Sequence, residues 1–556
     1  MTITPTSSAS QPARASIPGD RRIALVLLLI SAAAAAPRIY LGATQYIEYD
    51  GYWHVFIAMQ DRWENFAAEY QQNAHPPLYY LLLKLSLWFG HSRLVYRSIS
   101  VLAGIVAVFL IGKIVEELAL WRPAPAIAAL AYGLALPSII ISTEVRSYML
   151  CVCFVLASFY CFLDFVGGSQ SVKARAGFAA FAALAALSHY CASFYVLSCL
   201  VVAAVFGFAS YRDGFRRRLG LEAATFLPAI GIMAVTYYTH AGGHIGVAAH
   251  LTEFYFYPGG SESIAAFLGR TGRLLFNLFS PVSVATPEQF AAVAAGLFMA
   301  AGGLLYLVRG GLPEGLRARA TALTTILMLA GIIAGGLLGQ YPFGGELRQQ
   351  FILFPFAVIC GCVLLDRAAS AIPLPGWRAV LAAAAVTLTV GVSVARFQEF
   401  PKVSAEIGAA SAGRFREISP APSAVYVDRY SLIVFFIDHH DWLWEGVGRD
   451  PMLPAVDTYK VSKGPAQFLV VRDNGRWRAD LEDPVFYGDL ASILRSQQLP
   501  SLTTFSIRPE WEPITTSAGR IGELAAGANL CLKERSVVNN VHAYAELTGG
   551  PCNPVP

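Results

Sequence analysis

Residues 23–41 read IALVLLLISAAAAAPRIYL, 19 residues with a single charge, and the length of that run decides the class of fold. A helix rises about 1.5 Å per residue, so roughly 17–25 apolar residues cross the hydrocarbon core of a bilayer. Arg21 and Arg22 stand before the run, and IEYDGYWHVFIAMQ follows it from Ile47 to Gln60. Two readings are open. The alanine run resembles the cleavage region of a signal peptide, whereas the length suits a permanent span that anchors the loop behind it. The second reading accounts for both features of the segment. Upstream, MTITPTSSASQPARASIPGD (1–20) is Ser-, Thr- and Pro-rich and is expected to be a disordered cytoplasmic tail.

Working outward, the same texture recurs. The chain of 556 residues is 55% hydrophobic and only 14% charged, with a mean hydropathy of +0.51. Soluble domains carry about a quarter charged residues. A net charge of +4 is too small to point to nucleic acid. Apolar blocks at about 23–41, 95–115, 123–141, 148–166, 176–188, 192–210, 219–239, 290–308, 321–340, 350–366 and 378–396 suggest about eleven transmembrane helices.

Charge orients them. Lys and Arg collect in alternate loops: Arg21 and Arg22; Lys113 and Arg122; Lys173 and Arg175; Arg212 and Arg216–Arg218; Arg309, Arg317 and Arg319; Arg367 and Arg378. By the positive-inside rule these loops are cytoplasmic. The apolar segment 78–90 is too short to cross and would invert every later loop if it did, so it is expected to lie on the outer surface. Basic loops on both sides of 176–210 require two crossings there, with Ser188-His189-Tyr190 as an outward turn. An odd number of spans places the N-terminus inside and the chain beyond 396 outside.

That last portion, 397–556, changes character. Strand-like runs such as SAVYVD and QFLVVRD alternate with Pro, Gly and Asp turns, which predicts a soluble extracytoplasmic α/β domain. Seven of the nine cysteines lie in or beside spans and read as packing residues. Cys531 and Cys552 share the exported domain, and a disulfide between them is open. No internal repeat of the transporter kind is visible.

Ionisable residues gather at one boundary. The first outer loop carries Glu48, Asp50 and His54, and NAHPPLYY (73–80) carries His75 and Tyr79, with Lys84 beyond it. STEVRSY (142–148) carries Glu144, Arg146 and Tyr148, the 188–190 turn carries His189 and Tyr190, and YPFGGELRQQF (341–351) carries Glu346 and Arg348. Charges at span ends are expected simply because mid-span charges are costly. Short loops that pair an acid with an Arg or an aromatic ring suit acid–base chemistry on an anionic substrate.

Taken in order, YDGYWHVFIA, HPPLYYLLLKLSLWFG, RLVYRSISVLAG, STEVRSYML and ALSHYCASFYVL resemble the GT-C superfamily of integral-membrane glycosyltransferases. The branch is similar to dolichyl-phosphate-mannose protein mannosyltransferases and to bacterial lipid A aminoarabinose and galacturonic acid transferases. The resemblance covers about 20–210 well, is looser over 211–396 and fades in the C-terminal domain. It implies a GT-C transmembrane catalytic domain over 21–396, with outer loop 42–94 and its juxtamembrane helix at 78–90, and sugar transfer from a polyprenyl-phosphate donor outside the cytoplasmic membrane. Family members carry an Asp, usually followed by Glu, in the first outer loop. Asp50 occupies that place, Gly51 replaces the second acid, and Glu48 precedes it. Glu144 and Arg146 match the acid and Arg of the second outer loop.

On this reading Asp50 is the general base, assisted by Glu48 or Glu144. Arg146, Arg348 and Lys84 serve the donor phosphate, and His54, His75, Tyr79, Tyr148, His189, Tyr190 and Glu346 line the substrate. A divalent metal (Mg, Mn or Zn) on His75 and Asp50 is a further expectation. The acceptor is an envelope glycan, a glycolipid, lipid A or other lipopolysaccharide, or a protein. DHHDW (438–442) reads as a loop, and CVC (151–153) as two thiols on different faces of a helix. The alternatives are a transporter or flippase for a lipid-linked substrate, which would favour ionisable residues at mid-membrane, and a scaffold without activity.

Overall fold

The computed structural model of the chain describes residues 21–45, 47–60, 62–73, 75–169, 171–210, 215–241, 264–279, 287–309, 315–338, 340–342 and 347–371, scattered positions between 376 and 387, and then 424–449, 453–476, 478–507, 517–538, 542–550 and 552. Glu346, the tail 1–20 and nearly all of the span expected at 378–396 lie outside the described residues. The chain divides into two compact units, one of residues 1–43 with 70–398, the other of residues 44–69 with 399–556.

The first unit is helical. Helix α1 is Arg21–Thr44; α2 (Tyr49–Met59) and α3 (Trp63–Tyr70), in the first long loop, fall in the second unit except for Tyr70; α4 is Leu78–Ser86, extended by a 3-10 turn to Phe89. Then come α5 (Arg93–Glu117), α6 (Ala124–Leu134), α7 (Leu136–Thr143), α8 (Tyr148–Val166), α9 (Val172–Ser188), α10 (Ala192–Ser210) and α11 (Phe215–Thr236), the last ending in a π-helical turn, Tyr237–Ala241. Helices α12 (Ile264–Phe279), α13 (Pro287–Arg309), α14 (Gly315–Leu337), the short α15 (Leu347–Gln350) and α16 (Phe354–Ala371) complete the unit. Among the described residues six helices are long and apolar enough to cross a membrane, and α6 with α7 forms a bent pair that could make a seventh. The protein is a multi-pass membrane protein.

Two elements differ from the sequence reading. Helix α12 was not anticipated. The span expected at 123–141 is two helices meeting at 56°. Pro137 supplies the cause, because it has no N–H to donate to the carbonyl of Gly133, four residues back. That carbonyl accepts instead from Arg38 Nη1 at 2.7 Å. The expected surface segment is a short apolar helix, and Trp88 and Phe89 at its end are 82% and 85% exposed.

Charged residues at the end expected to be cytoplasmic tie helices together. Arg317 of α14 pairs with Glu117 of α5 at 3.0 Å and lies 4.0 Å from Asp164 of α8. It also donates to the Leu163 carbonyl at 3.1 Å. Arg175 of α9 pairs with Glu222 of α11 at 3.1 Å. Elsewhere the helices touch through small residues: a Cβ on Gly303 of α13 would lie 1.7 Å from the Cys360 carbonyl of α16.

The C-terminal part of the second unit is a seven-stranded sheet in the order β2-β3-β4-β1-β5-β7-β6. Its strands are β1 (Ala424–Asp428), β2 (Leu443–Arg449), β3 (Val456–Lys463), β4 (Ala466–Asp473), β5 (Ser501–Ile507), β6 (Leu530–Val538) and β7 (His542–Gly549). Central β1 runs parallel to β4 and β5, and the other pairings are antiparallel. Every residue of β1 is buried, as expected for a strand covered on both faces. Helices α18 (Pro484–Ser496) and α19 (Ala518–Gly527) pack on the face of Ala424, Tyr426 and Val471. Helix α17 (Arg429–Asp438) covers the other face, where the Phe435 ring meets Phe468 and Phe505 at 6.1 and 6.2 Å. A disulfide joins Cys531 to Cys552.

Candidate active site

In the helical unit the site is built on Arg38. This side chain is fully buried, which in an apolar span is tolerated only with full hydrogen bonding. Its guanidinium bonds the Ala34 and Gly133 carbonyls at 2.8 and 2.7 Å, Ser142 Oγ at 3.0 Å and Ser138 Oγ at 2.9 Å. Arg97 of α5, also buried, donates to the Thr143 carbonyl at 2.5 Å and the Gly42 carbonyl at 3.1 Å. Two arginines from neighbouring helices thus fix α7, and Glu144 follows directly on its last residue in an extended conformation.

Beyond Glu144 the backbone is held again. Ser100 Oγ donates to the Arg146 carbonyl at 3.0 Å and lies 3.0 Å from Tyr79 Oη. Three expected residues from three separate segments then form one cluster. The His189 ring centroid is 4.5 Å from Tyr148 and 5.0 Å from His75, and His75 and Tyr148 are 5.7 Å apart. All three side chains are at most 7% exposed. His189 Nδ1 accepts the Cys191 N–H at 3.0 Å, so a neutral ring carries its proton on Nε2. Lys84 sits half-buried in the last turn of α4, and Arg348 half-buried in α15.

Tyr190 leads to a residue the sequence reading missed. Its hydroxyl lies 2.5 Å from His240 Nδ1, and His240 Nε2 lies 3.3 Å from the Tyr70 carbonyl. The Tyr70 ring stacks on His240 at 4.5 Å. Burial pushes the Tyr70 phenol up to about 12, which keeps it a neutral hydrogen-bonding group at neutral pH. A buried imidazole closing a span in YYTHA was the available signal. Arg38 and Arg97 were likewise visible as charges inside apolar runs.

In the second unit, Asp50 is half-buried in the first turn of α2, where the helix dipole favours negative charge. His54, 1% exposed, donates from Nδ1 to the Asp50 carbonyl at 2.7 Å. Glu48 is the exposed residue that precedes the helix, and its carbonyl accepts from the Tyr52 N–H at 3.0 Å. Tyr49 stacks on Tyr430 with centroids 3.5 Å apart and planes 8° from parallel. Burial first, then neighbouring Tyr430 and Asp428, hold the Tyr49 phenol well above its usual range.

Among the described residues no group of three or more His, Cys, Asp or Glu side chains converges as a cation would require. His75 packs with the rings of Tyr148 and His189. In the 438–442 loop, His439 stacks on Phe435 at 4.3 Å, His440 bonds the Ile437 carbonyl at 2.7 Å and Asp441 pairs with Lys463. Of the CVC pair, Cys151 Sγ is 3.8 Å from Cys191 Sγ, and Cys153 is buried.

Apolar helices with a broken pair held by buried arginines, together with a C-terminal mixed sheet, make up a fold that is also found among solved membrane proteins. Among solved structures, the chain is similar to ArnT from Cupriavidus metallidurans, both bound to undecaprenyl phosphate and in the apo state. The TM-score is 0.52 at 12% identity, over 94% of this chain and 97% of that one. Archaeal oligosaccharyltransferase AglB from Archaeoglobus fulgidus, in complex with an inhibitory peptide and a dolichol-phosphate, aligns over 87% of this chain and 69% of its own, at 10% identity and TM-score 0.43. No family model and no curated protein sequence matches the chain.

Proposed function

We propose that the protein is a glycosyltransferase that moves a hexosyl or pentosyl unit from a polyprenyl-phosphate donor to an envelope acceptor on the outer face of the cytoplasmic membrane. About eleven transmembrane helices, a cytoplasmic N-terminus and an extracytoplasmic C-terminal domain belong to the same proposal. The observation that carries it is the convergence of the 73–80, 142–148 and 188–191 segments around His75, Tyr148 and His189, the second of these segments also carrying Glu144 directly after a helix fixed by two buried arginines. The fold shared with ArnT, whose structure holds undecaprenyl phosphate, supports the donor class. The Cys531–Cys552 disulfide supports an oxidising compartment for the C-terminal domain.

In this reading an acceptor hydroxyl gives its proton to the Asp50 carboxylate while its oxygen attacks the anomeric carbon. The bond from that carbon to the phosphate oxygen breaks, and the polyprenyl phosphate leaves with the electron pair. Arg146, Lys84 and Arg348 offset the charge that grows on the phosphate. Glu144 orients the acceptor, and apolar helix faces take the lipid tail. The acceptor is lipid A or another envelope glycan, a glycolipid or a protein, chosen with the help of the C-terminal domain. General-base catalysis contributes about 10²–10⁴ in rate, so Asp50→Asn is expected to lower turnover by at least about 100-fold. The check is transfer from a panel of radiolabelled polyprenyl-phosphate sugars into envelope fractions at equal amounts of folded protein. Full activity in Asp50→Asn would remove the base assignment, and no transfer from any donor would favour a carrier of lipid-linked substrate.

A further inference from the structure

The second unit joins two pieces of chain far apart in sequence, and the place where they join is informative. In open α/β sheets the free edge lies at the carboxyl ends of parallel strands, where small ligands usually bind. Here that edge belongs to β1, β4 and β5. Its two carboxylates are occupied internally. Asp428, closing β1, accepts the Ser431 and Ala479 N–H groups, each at 2.7 Å. Asp473, closing β4, accepts the Gly475 and Arg476 N–H groups, the Tyr426 hydroxyl at 2.9 Å and Arg476 Nη1 at 2.9 Å. Both strand ends are thus closed by internal hydrogen bonds.

The acid-bearing loop is seated on that edge. Tyr49 and Phe56, seven residues apart and so on one face of α2, stack on Tyr430 at 3.5 Å and meet Phe436 edge-on at 5.3 Å. Arg478 lies over the Tyr430 ring, 4.8 Å from its centroid. At the other end of the loop Glu69, 8% exposed, divides its carboxylate between Arg429 and Arg472, each 3.3 Å away. Residues 429 and 430 are the first two of α17, and 472 is the penultimate residue of β4, so ring stack and ion pairs share one anchor. Asp50 is the neighbour of Tyr49, and its carbonyl is bonded to His54 within the same short helix. The helix that carries Asp50 is thus fastened at both flanks by the C-terminal domain.

We propose that Tyr430, Arg429 and Arg472 are positioning residues for Asp50, and that the C-terminal domain sets the geometry of the base as well as any choice of acceptor. This rests on the reading of Asp50 as the base. None of the three touches substrate in this proposal; each acts through α2 or α3.

The test uses full-length protein in lipid nanodiscs with Tyr430→Ala, Tyr430→Phe, Glu69→Gln and Asp50→Asn. Amide hydrogen exchange is followed over 49–59 and over β1 and β4, and transfer kinetics are measured with the radiolabelled polyprenyl-phosphate sugar panel. Tyr430→Ala is expected to raise exchange over 49–59 by at least about tenfold while β1 and β4 stay protected. It lowers kcat by at least about 30-fold with the donor KM within about threefold, because geometry rather than donor binding is lost. Tyr430→Phe keeps the stack and restores both readouts, and Glu69→Gln gives an intermediate loss. Unchanged exchange over 49–59, a loss confined to KM, or failure of Tyr430→Phe to restore would overturn the proposal. If Tyr430→Ala also deprotects β1 and β4, Glu69→Gln decides by the same criteria. Full activity in Asp50→Asn with altered exchange in Tyr430→Ala would sink the base assignment and leave the docking of α2 standing. If no donor is used, exchange alone decides the docking.

Discussion

Arg38 is the residue with most at stake. Its charge sits among neutral acceptors, two carbonyls and two hydroxyls, and the Gly133 carbonyl depends on it because of Pro137. Hydrogen bonds to charged groups contribute about 1.5–3 kcal/mol each, and orphaned acceptors cost more than they gained. Arg38→Met is therefore expected to lose about 3 kcal/mol of stability. Arg38→Lys should fall in between, since an ammonium lacks the guanidinium fork. Thermal unfolding in detergent checks both, and a shift equivalent to under about 0.5 kcal/mol would contradict the account. His439 gives a pH dependence. Burial lowers its pKa below the usual 6.5, so between the two values the unfolded chain binds more protons than the folded one and stability rises with pH. As pH falls from 7.5 toward 5, the C-terminal domain should lose stability, and His439→Phe, which retains a ring against Phe435, should flatten that slope. Melting curves across this range make the comparison.

Among elements, α13 and α16 cross closely at Gly303. A Cβ on Gly303 would sit 1.7 Å from a backbone oxygen and 2.4 Å from its carbon, so no rotamer change relieves the clash. Small residues let membrane helices approach this closely, and dispersion between their backbones holds them. Gly303→Ala must separate the helices and should cost about 2–3 kcal/mol, read as reduced yield of monodisperse protein and a lower melting temperature. Gly112, whose added Cβ would meet the Leu27 side chain, its methyls at 2.3 and 2.8 Å and Cγ at 3.1 Å, should tolerate alanine better, because a flexible side chain can move. The bend between α6 and α7 has a related logic. Pro137 was legible in the sequence as a break, but the partner that makes the break stable comes from α1, nearly a hundred residues earlier.

At the scale of the molecule, the disulfide closes a loop of 21 residues between β6 and the end of the chain. Loop-closure entropy assigns it about 3 kcal/mol. Replacing both cysteines by serine should lower the stability of the sheet domain by about that amount and leave the transmembrane helices protected, which hydrogen exchange resolves by segment. Loss of protection in both units together would show a single cooperative structure instead. In the division into units, residues 44–69 group with the C-terminal sheet.

Hydropathy and charge are local properties, and so the sequence by itself determined a multi-pass membrane protein, the short apolar helix after His75, and the α/β texture of the last 160 residues. It also supplied the GT-C likeness, through ordered short motifs. Only the tertiary structure brought His75, Tyr148 and His189 together, recruited Arg38, Arg97 and His240, and set Glu69 between Arg429 and Arg472, contacts that span up to 403 positions. Such pairings depend on which helix faces meet and on which carbonyls a proline leaves open. A linear pattern records what each residue offers; the packed chain decides to whom it is given.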